Sequence, residues 1–525
     1  MTKVRIYGAP GTGKTTFLVK CVKFELEQHE PEEIAFYSFS KAASAESLTK
    51  LRGAMPDLDI ERFDYFRTIH SQAYRLLGLT KDDIMTGKWV RKFSDDFGYE
   101  ISPQRDEHND IDDTFPQVLL RSLGDYLLFF ENWRRHKMLF DIDAAFRQFY
   151  TPLAPQGFSR AMCHKFQREY EKAKQTYGKL DYTDMLTEVL KRQLAPTGVR
   201  VMNLDECQDQ SPLLMAVFNL WVEKLQPESV YLAGDPNQAI YEFMAADPRI
   251  FLEYPCDKEV VLSKSWRLPR GVYEYSNKII KRNRLLADPS LFAPRDVEGS
   301  VSKLPLEYLK LSEESTFLLA RNRYLLQDFI DYCEERGVVY SNLLEYPALE
   351  RKEAKVMRSL ARLKKGQMVT LDEIARIMSL TPSKDNLIRG AKAEIKRMRE
   401  AEPWQELNLN DLRGRFVSPR FADEIREQYM PDAIKVEPKF KRYLLTLARQ
   451  DKLDNTPKVS IGTIHSVKGK EAECVVVMSD ISWSTFTSYH ITPEVENRIA
   501  YVAATRSRDK LVILEPSSDR FYGYP

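Results

Sequence analysis

Nowhere in the 525 residues do about 18 apolar residues run together, and the opening MTKVRIYGAP lacks the basic, apolar and small-residue zones of a secretory leader. A membrane-spanning or exported chain is therefore not expected, and a cytoplasmic one is. Cysteine is sparse. Cys21, Cys163, Cys207, Cys256, Cys333 and Cys474 lie far apart and form no CxxC pair, which argues against a disulfide scaffold and points to a reducing compartment. Cys163-His164 has no second pair to complete four ligands, so a zinc site is not expected. Net charge is almost absent as well: 78 Lys and Arg stand against 77 Asp and Glu. No global basicity announces a polyanionic partner, so any positive surface must be local. Internal repeats and low-complexity runs are missing too.

What is present is a soluble, globular composition, 43% hydrophobic and 30% charged. The length suggests about three or four domains at roughly 100–200 residues each. The first 40 residues alternate a short apolar run (4–7), a Gly-rich turn, a helix from about residue 13 and a second apolar run (34–37). That is the opening of a parallel α/β sheet. Runs at 199–204 and 230–233 resemble buried central strands of the same sheet. A second set of buried runs lies at 316–320, 459–463, 474–478 and 511–514. Between these pieces lie two mostly helical stretches. The first, about 80–189, holds an acid-rich segment (94–113) expected to include a surface loop; the second, 346–455, is broken late by Pro403, Pro419, Pro431 and Pro438. Residues 351–455 carry 24 Lys and Arg against 16 Asp and Glu, so positive charge is indeed local. A solvated helical face explains that surplus as well as a nucleic-acid surface does. The expected layout is two α/β cores, each with a helical insertion: 1–79 with 190–270, insertion 80–189, then 271–345 with 456–525, insertion 346–455.

Residues 8–16 spell GAPGTGKTT, the pattern G-x-x-x-x-G-K-[ST] in its required place between strand and helix. Gly8, Ala9, Pro10, Gly11, Thr12, Gly13, Lys14, Thr15 and Thr16 are thus candidates for cradling a nucleoside triphosphate. Their backbone N–H groups turn around phosphate oxygens, Lys14 reaches the β- and γ-phosphates, and the Thr15 hydroxyl ligates Mg²⁺. The run at 199–204 ends in DECQDQS, which places Asp205 to hold the Mg²⁺ shell and Glu206 to orient and deprotonate an attacking water.

Asp-Glu-x-Gln-Asp resembles the Walker B motif of superfamily 1 helicases of the UvrD/Rep (PcrA-like) branch. GDPNQAIYEF (234–243) is similar to that branch's third motif, and SKSWR (263–267) to its Asn-Tyr-Arg segment. TIHSVKGKEAECVVV (463–477) resembles the fifth motif, and NRIAYVAATRSRDKL (497–511) the sixth. FSKAA (39–43) and TIHS (68–71) look like early DNA-contacting motifs, and LDYTDML (180–186) is a weaker echo of another. These segments occur in family order across residues 8–511.

The resemblance implies two RecA-like domains with ATP hydrolysed in the cleft between them. It implies arginine fingers at Arg267 and Arg506, the latter supplied by the second domain. Gln238 would sense the γ-phosphate, Glu471 would lie near the ribose, and Trp266 would stack on the base. For single-stranded DNA it implies contacts from Phe39, Ser40, Thr68, His70, Tyr241, Phe243, His465 and Lys468, with Tyr241 and Phe243 as a stacking platform. The expected activity is an ATP- and Mg²⁺-dependent DNA helicase, a monomeric motor moving 3′ to 5′ on one strand. Its partners would be single-stranded and tailed duplex DNA together with replication or repair proteins. The alternative is a DNA-dependent ATPase that acts as a clamp or remodeller without unwinding. The sequence departs from the family in two places: no Gln stands among residues 1–7, and Thr16 follows Lys-Thr, so selectivity for adenine is left open.

Overall fold

The computed structural model describes residues 1–102, 120–149, 154–284 and 287–525. From the N-terminus the chain alternates β1 (Thr2–Gly8), α1 (Lys14–Glu25), β2 (Ile34–Ser38), α2 (Lys41–Ala54), β3 (Phe66–Thr68) and α3 (Ile69–Leu76). A helical stretch follows, with α4 (Gly87–Phe97), α5 (Leu123–His136), α6 (Ile142–Gln148), α7 (Arg160–Tyr177) and α8 (Tyr182–Lys191). The chain then returns to the sheet with β4 (Val201–Leu204), α9 (Pro212–Leu225), β5 (Ser229–Gly234), α10 (Arg249–Glu253), β6 (Lys258–Leu262) and α11 (Arg270–Ile280).

These six strands form one parallel sheet in the order β3-β2-β4-β5-β1-β6. β2 and β4 are buried along their whole length, as their continuous runs IAFYS and VMNL require. The segments at 8–16, 205–211 and 235–243 follow β1, β4 and β5, which are adjacent and parallel. All three therefore leave the carboxyl edge of the sheet together, where α/β sheets place their ligands.

The stretch α4–α7 has an aromatic-rich core of its own around Phe93, Phe130, Phe166 and Tyr170, whereas Met185, Leu186 and Val189 of α8 join the core of the first sheet. Of the segment 94–113, expected to include a surface loop, residues 94–97 are the last turn of α4 and residues 103–113 lie outside the described residues.

The next elements are β7 (Ser300–Leu304), β8 (Thr316–Ala320), α12 (Leu326–Arg336), β9 (Tyr340–Asn342), α13 (Lys352–Lys364), β10 (Val369–Thr370), α14 (Leu371–Leu380) and α15 (Ala391–Ala401). After them come β11 (Glu406–Leu407), α16 (Leu409–Leu412), α17 (Pro419–Glu427), α18 (Pro438–Arg449), β12 (Val459–Thr463) and β13 (Ala472–Met478). The chain ends through α19 (Trp483–Ile491), α20 (Pro493–Ala504) and β14 (Ser507–Leu514). The second six-stranded sheet has the order β7-β14-β13-β8-β12-β9, with β13, β8, β12 and β9 pairing in parallel. Pro419 and Pro438 begin α17 and α18 at positions where a missing N–H costs nothing. One apolar core takes in both this sheet (Leu318, Ile461, Val476) and the insertion helices (Met357, Phe421, Leu444).

The chain divides into two compact units. One is Met1–Val301 with Ser482–Asp509 and Tyr522–Pro525; the other is Ser302–Ile481 with Lys510–Phe521. This differs from the partition expected from sequence, because α11, α19 and α20 group with the phosphate loop. The tie is local: Arg498 Nε donates to the Ala239 carbonyl at 3.0 Å and Arg506 Nη2 to Gln238 Oε1 at 2.8 Å, while α11 packs along α20, where Asn497 donates to Asn283 Oδ1 at 2.7 Å. Among the described residues no helix is long and apolar enough to cross a membrane.

Candidate functional site

The loop after β1 is shaped by its glycines. Gly11 and Gly13 sit at φ +73° and +86°, in the left-handed region. A Cβ on Gly11 would meet Arg267 Cβ at 2.3 Å and Ser265 Oγ at 2.8 Å, so the loop touches the segment after β6. Two hydrogen bonds fix that contact: Ser265 Oγ donates to the Pro10 carbonyl (2.9 Å), and the Trp266 N–H to that of Gly11 (2.8 Å). Lys14 is buried and donates to the Gly8 carbonyl at 2.8 Å. No side chain caps α1, which leaves its first N–H groups available to an anion.

Thr15 Oγ1 donates to Asp205 Oδ2 at 2.6 Å, joining the loop after β1 to the loop after β4. Burial and the neighbouring Glu206 raise the Asp205 carboxyl above its ordinary range, and Thr15 and Lys14 oppose that. Asp235, at the end of β5, is likewise raised by burial and opposed by Lys14. Among the described residues no three His, Cys, Asp or Glu gather as a metal site. The Thr15 hydroxyl and the Asp205 carboxylate are nevertheless hard oxygen donors suited to Mg²⁺ that keeps phosphate and water ligands.

Glu206 sits at φ 51°, ψ 43°, left-handed for a residue with a Cβ. Such strain persists only where the surroundings impose it, and it gathers at functional sites. Gln208 donates to Glu206 Oε2 and, at 3.1 Å, to Asp209 Oδ2, while its own Oε1 accepts from the Asp235 N–H at 3.0 Å. Asp235 in turn accepts from Gln238 Nε2 at 2.6 Å. Arg506, almost wholly buried, donates through Nη2 to Gln238 Oε1 at 2.8 Å. Arg267 Nη1 donates to the Thr505 carbonyl at 3.2 Å. Lys14, Thr15, Asp205, Glu206, Gln238, Arg267 and Arg506 thus lie within one compact unit, Arg506 directly before β14 of the second sheet. Trp266 is 67% exposed beside the loop, with Lys264 Nζ 5.1 Å from its ring centroid.

Beyond Gln238 the chain carries an aromatic face. Phe39 and Tyr241 stack with centroids 4.7 Å apart and planes 24° apart. Phe243, 6.3 Å from Tyr241, is 46% exposed. Ser40 caps α2, its hydroxyl accepting from the Ala43 N–H at 3.2 Å. Thr68 and His70 present no surface to a strand here. The Thr68 hydroxyl caps α3, and His70 is buried with its ring 6.1 Å from that of His136, both imidazoles held below the ordinary histidine range by burial. His465, Lys468 and Glu471 lie in the other unit, between β12 and β13, the first two part-exposed and the third exposed.

Sequence reasoning overlooked Gln208, Asp235, Glu242 and Arg498. Each lies inside a segment already singled out, but only contacts reveal its work.

Residues 1–258 match the UvrD/REP helicase N-terminal domain, and residues 420–517 the UvrD-like helicase C-terminal domain. YjcD of Bacillus subtilis (strain 168), provisionally named an ATP-dependent DNA helicase, is 20% identical over 443 residues, covering 68% of this chain and 58% of YjcD. The Gabija protein GajB of Bacillus cereus (strain VD045) is 23% identical, covering 59% of this chain and 62% of GajB. An ATP-dependent helicase/nuclease polypeptide of Pediococcus pentosaceus is 30% identical over 87 residues, 15% of this chain and 7% of that polypeptide. The chain thus spans less than two thirds of the length of each of these relatives.

Proposed function

Because the chain belongs to the UvrD/Rep-like family of superfamily 1 helicases, we propose that it is an ATP- and Mg²⁺-dependent translocase. It moves 3′ to 5′ on single-stranded DNA as a cytoplasmic monomer and separates the strands of tailed duplex, working with replication or repair proteins.

The observation that carries this reading is the polar chain Glu206–Gln208–Asp235–Gln238–Arg506, whose Gln238 stands three residues before Tyr241 of the Tyr241–Phe39 stack. One segment, 235–243, therefore serves both triphosphate and bases. Bound Mg²⁺ would neutralise charge on the β- and γ-phosphates, held by Thr15 and Asp205. Lys14 exchanges its Gly8 carbonyl for phosphate oxygens. Glu206 orients water and takes its proton. Gln238, Arg267 and Arg506 stabilise the charge that develops on the transferred phosphoryl group, where an arginine is worth about 10³–10⁵ in rate. Trp266 offers a face to the base, and Glu471 approaches the ribose. Phe39, Tyr241 and Phe243 stack on successive bases, each worth about 1–3 kcal/mol, while Ser40, His465 and Lys468 contact the backbone.

The test is steady-state ATPase activity with and without oligo(dT), followed by unwinding of duplexes bearing a 3′ or a 5′ tail, with Lys14→Ala as control. Stimulation by oligo(dT) and unwinding of the 3′-tailed duplex alone are expected. Stimulation without unwinding selects the clamp or remodeller; no stimulation refutes the motor.

A further inference from the structure

Two arginines of the α20 segment hold the 235–246 loop from one side. Arg506 reaches Gln238, as described. About two helical turns earlier, Arg498 is 6% exposed and points at the other end of the same loop. Its Nε donates to the Ala239 carbonyl at 3.0 Å and its Nη2 to Glu242 Oε1 at 2.6 Å. Glu242 stands between the stacking residues Tyr241 and Phe243, so its carboxylate fixes the backbone that aims both rings. The loop is closed from α5 by Lys137, whose ammonium donates to the Ala246 carbonyl at 3.3 Å. Burial holds the Glu242 carboxyl above its ordinary range, and Arg498 and Lys137 oppose that without offsetting it. Nothing about phosphate chemistry requires the Arg498–Glu242 pair. Its geometry ties the helix that leads to Arg506 to the rings that face the bases.

We propose that Arg498 is a positioning residue. Through Glu242 and the Ala239 carbonyl it converts a displacement of α20 that accompanies engagement of Arg506 with a γ-phosphate into a re-aiming of Tyr241 and Phe243, so that nucleotide state sets the grip on single-stranded DNA. This rests on the function proposed above.

The experiment uses the full chain and fluorescein-labelled oligo(dT). Affinity is measured by anisotropy in the absence of nucleotide and with ADP and aluminium fluoride, and ATPase activity with and without unlabelled oligo(dT). The wild type is expected to change its affinity with nucleotide state within the range of about 5–150-fold usual for coupled sites. In Arg498→Ala and in Glu242→Gln that change collapses below about twofold, while ATPase without DNA stays near wild type. The double variant is no worse than either single, as expected for two residues acting as one unit. Glu242→Gln is isosteric at a part-exposed side chain, so it remains informative if Arg498→Ala unfolds. Wild-type coupling in both variants overturns the proposal, as do additive effects in the double variant. Loss of all activities in Arg498→Ala beside an unaffected Glu242→Gln also overturns it, because the arginine is then scaffold. A wild type whose ATPase ignores oligo(dT) refutes the motor reading, a result the variants are not needed to obtain.

Discussion

Glu206 offers a test in which stability and chemistry separate. At φ 51° and ψ 43° it holds a left-handed backbone at the end of a buried strand. For a residue with a Cβ this conformation costs about 1–2 kcal/mol. Glycine escapes that cost but loses about 0.5–1 kcal/mol through the greater freedom of its unfolded chain. Comparing Glu206→Gly with Glu206→Ala removes the carboxylate and its bond from Gln208 in both, so the difference isolates the backbone. The glycine variant should be the more stable by roughly 0.5–1 kcal/mol, the reverse of the ordinary order for these two residues. Both variants should lose hydrolysis by about 10²–10⁴-fold, since a general base is gone. Amide hydrogen exchange in β4 and β5 of the nucleotide-free protein reads the local stability. Protection should be about two- to fivefold higher in Glu206→Gly. Protection equal to or greater in Glu206→Ala would refute the argument that this residue is held under strain for its chemistry.

Three further outcomes are expected. Arg506→Ala should lower kcat by about 10³-fold or more while nucleotide affinity, read by equilibrium titration, changes little; an equal fall in both contradicts a transition-state role. Gly11→Ala should destabilise the nucleotide-free protein more than Gly13→Ala in urea titration: both glycines have positive φ, but only at Gly11 does a Cβ strike Ser265 and Arg267, adding about 1–3 kcal/mol of overpacking. Stability should also fall on acidification below pH 6.5. Burial holds His136 neutral down to about 3 and lowers His70 as well, whereas the unfolded chain protonates near 6.5, so the unfolded state binds the extra protons. The loss for His136 reaches about 2 kcal/mol at pH 5; thermal midpoints should drop from pH 7.5 to 5, less steeply in His136→Gln.

The central strands were legible because a strand buried on both faces must be mostly apolar: β2, β4, β8 and β13 all contain such runs. The edge strands escaped for the opposite reason. β6 (KEVVL) and β7 (SVSKL) are half exposed and mix charge with apolar residues, and β3 and β9 are three residues long. The phosphate loop, Asp205 and Glu206 declared themselves by spacing, since each belongs to a short motif directly after a buried strand. Gln208 and Asp235 did not, because they bond across neighbouring strand ends, and Arg498 did not, because its partners Ala239 and Glu242 lie 259 and 256 residues away. His70 shows the converse limit. Its motif places it among the expected DNA contacts, but the burial of its ring 6.1 Å from that of His136 is a tertiary fact that no local spacing encodes.

The insertion between β9 and β12 shares its apolar interior with the sheet it interrupts: Met357, Phe421 and Leu444 belong to the same mass as Leu318, Ile461 and Val476. An engineer who excised those helices, or transplanted them onto a related scaffold, would not be removing a module but tearing one face off a single body. Any change of sequence in those helices is therefore also an edit to the foundation beneath β8 and β12.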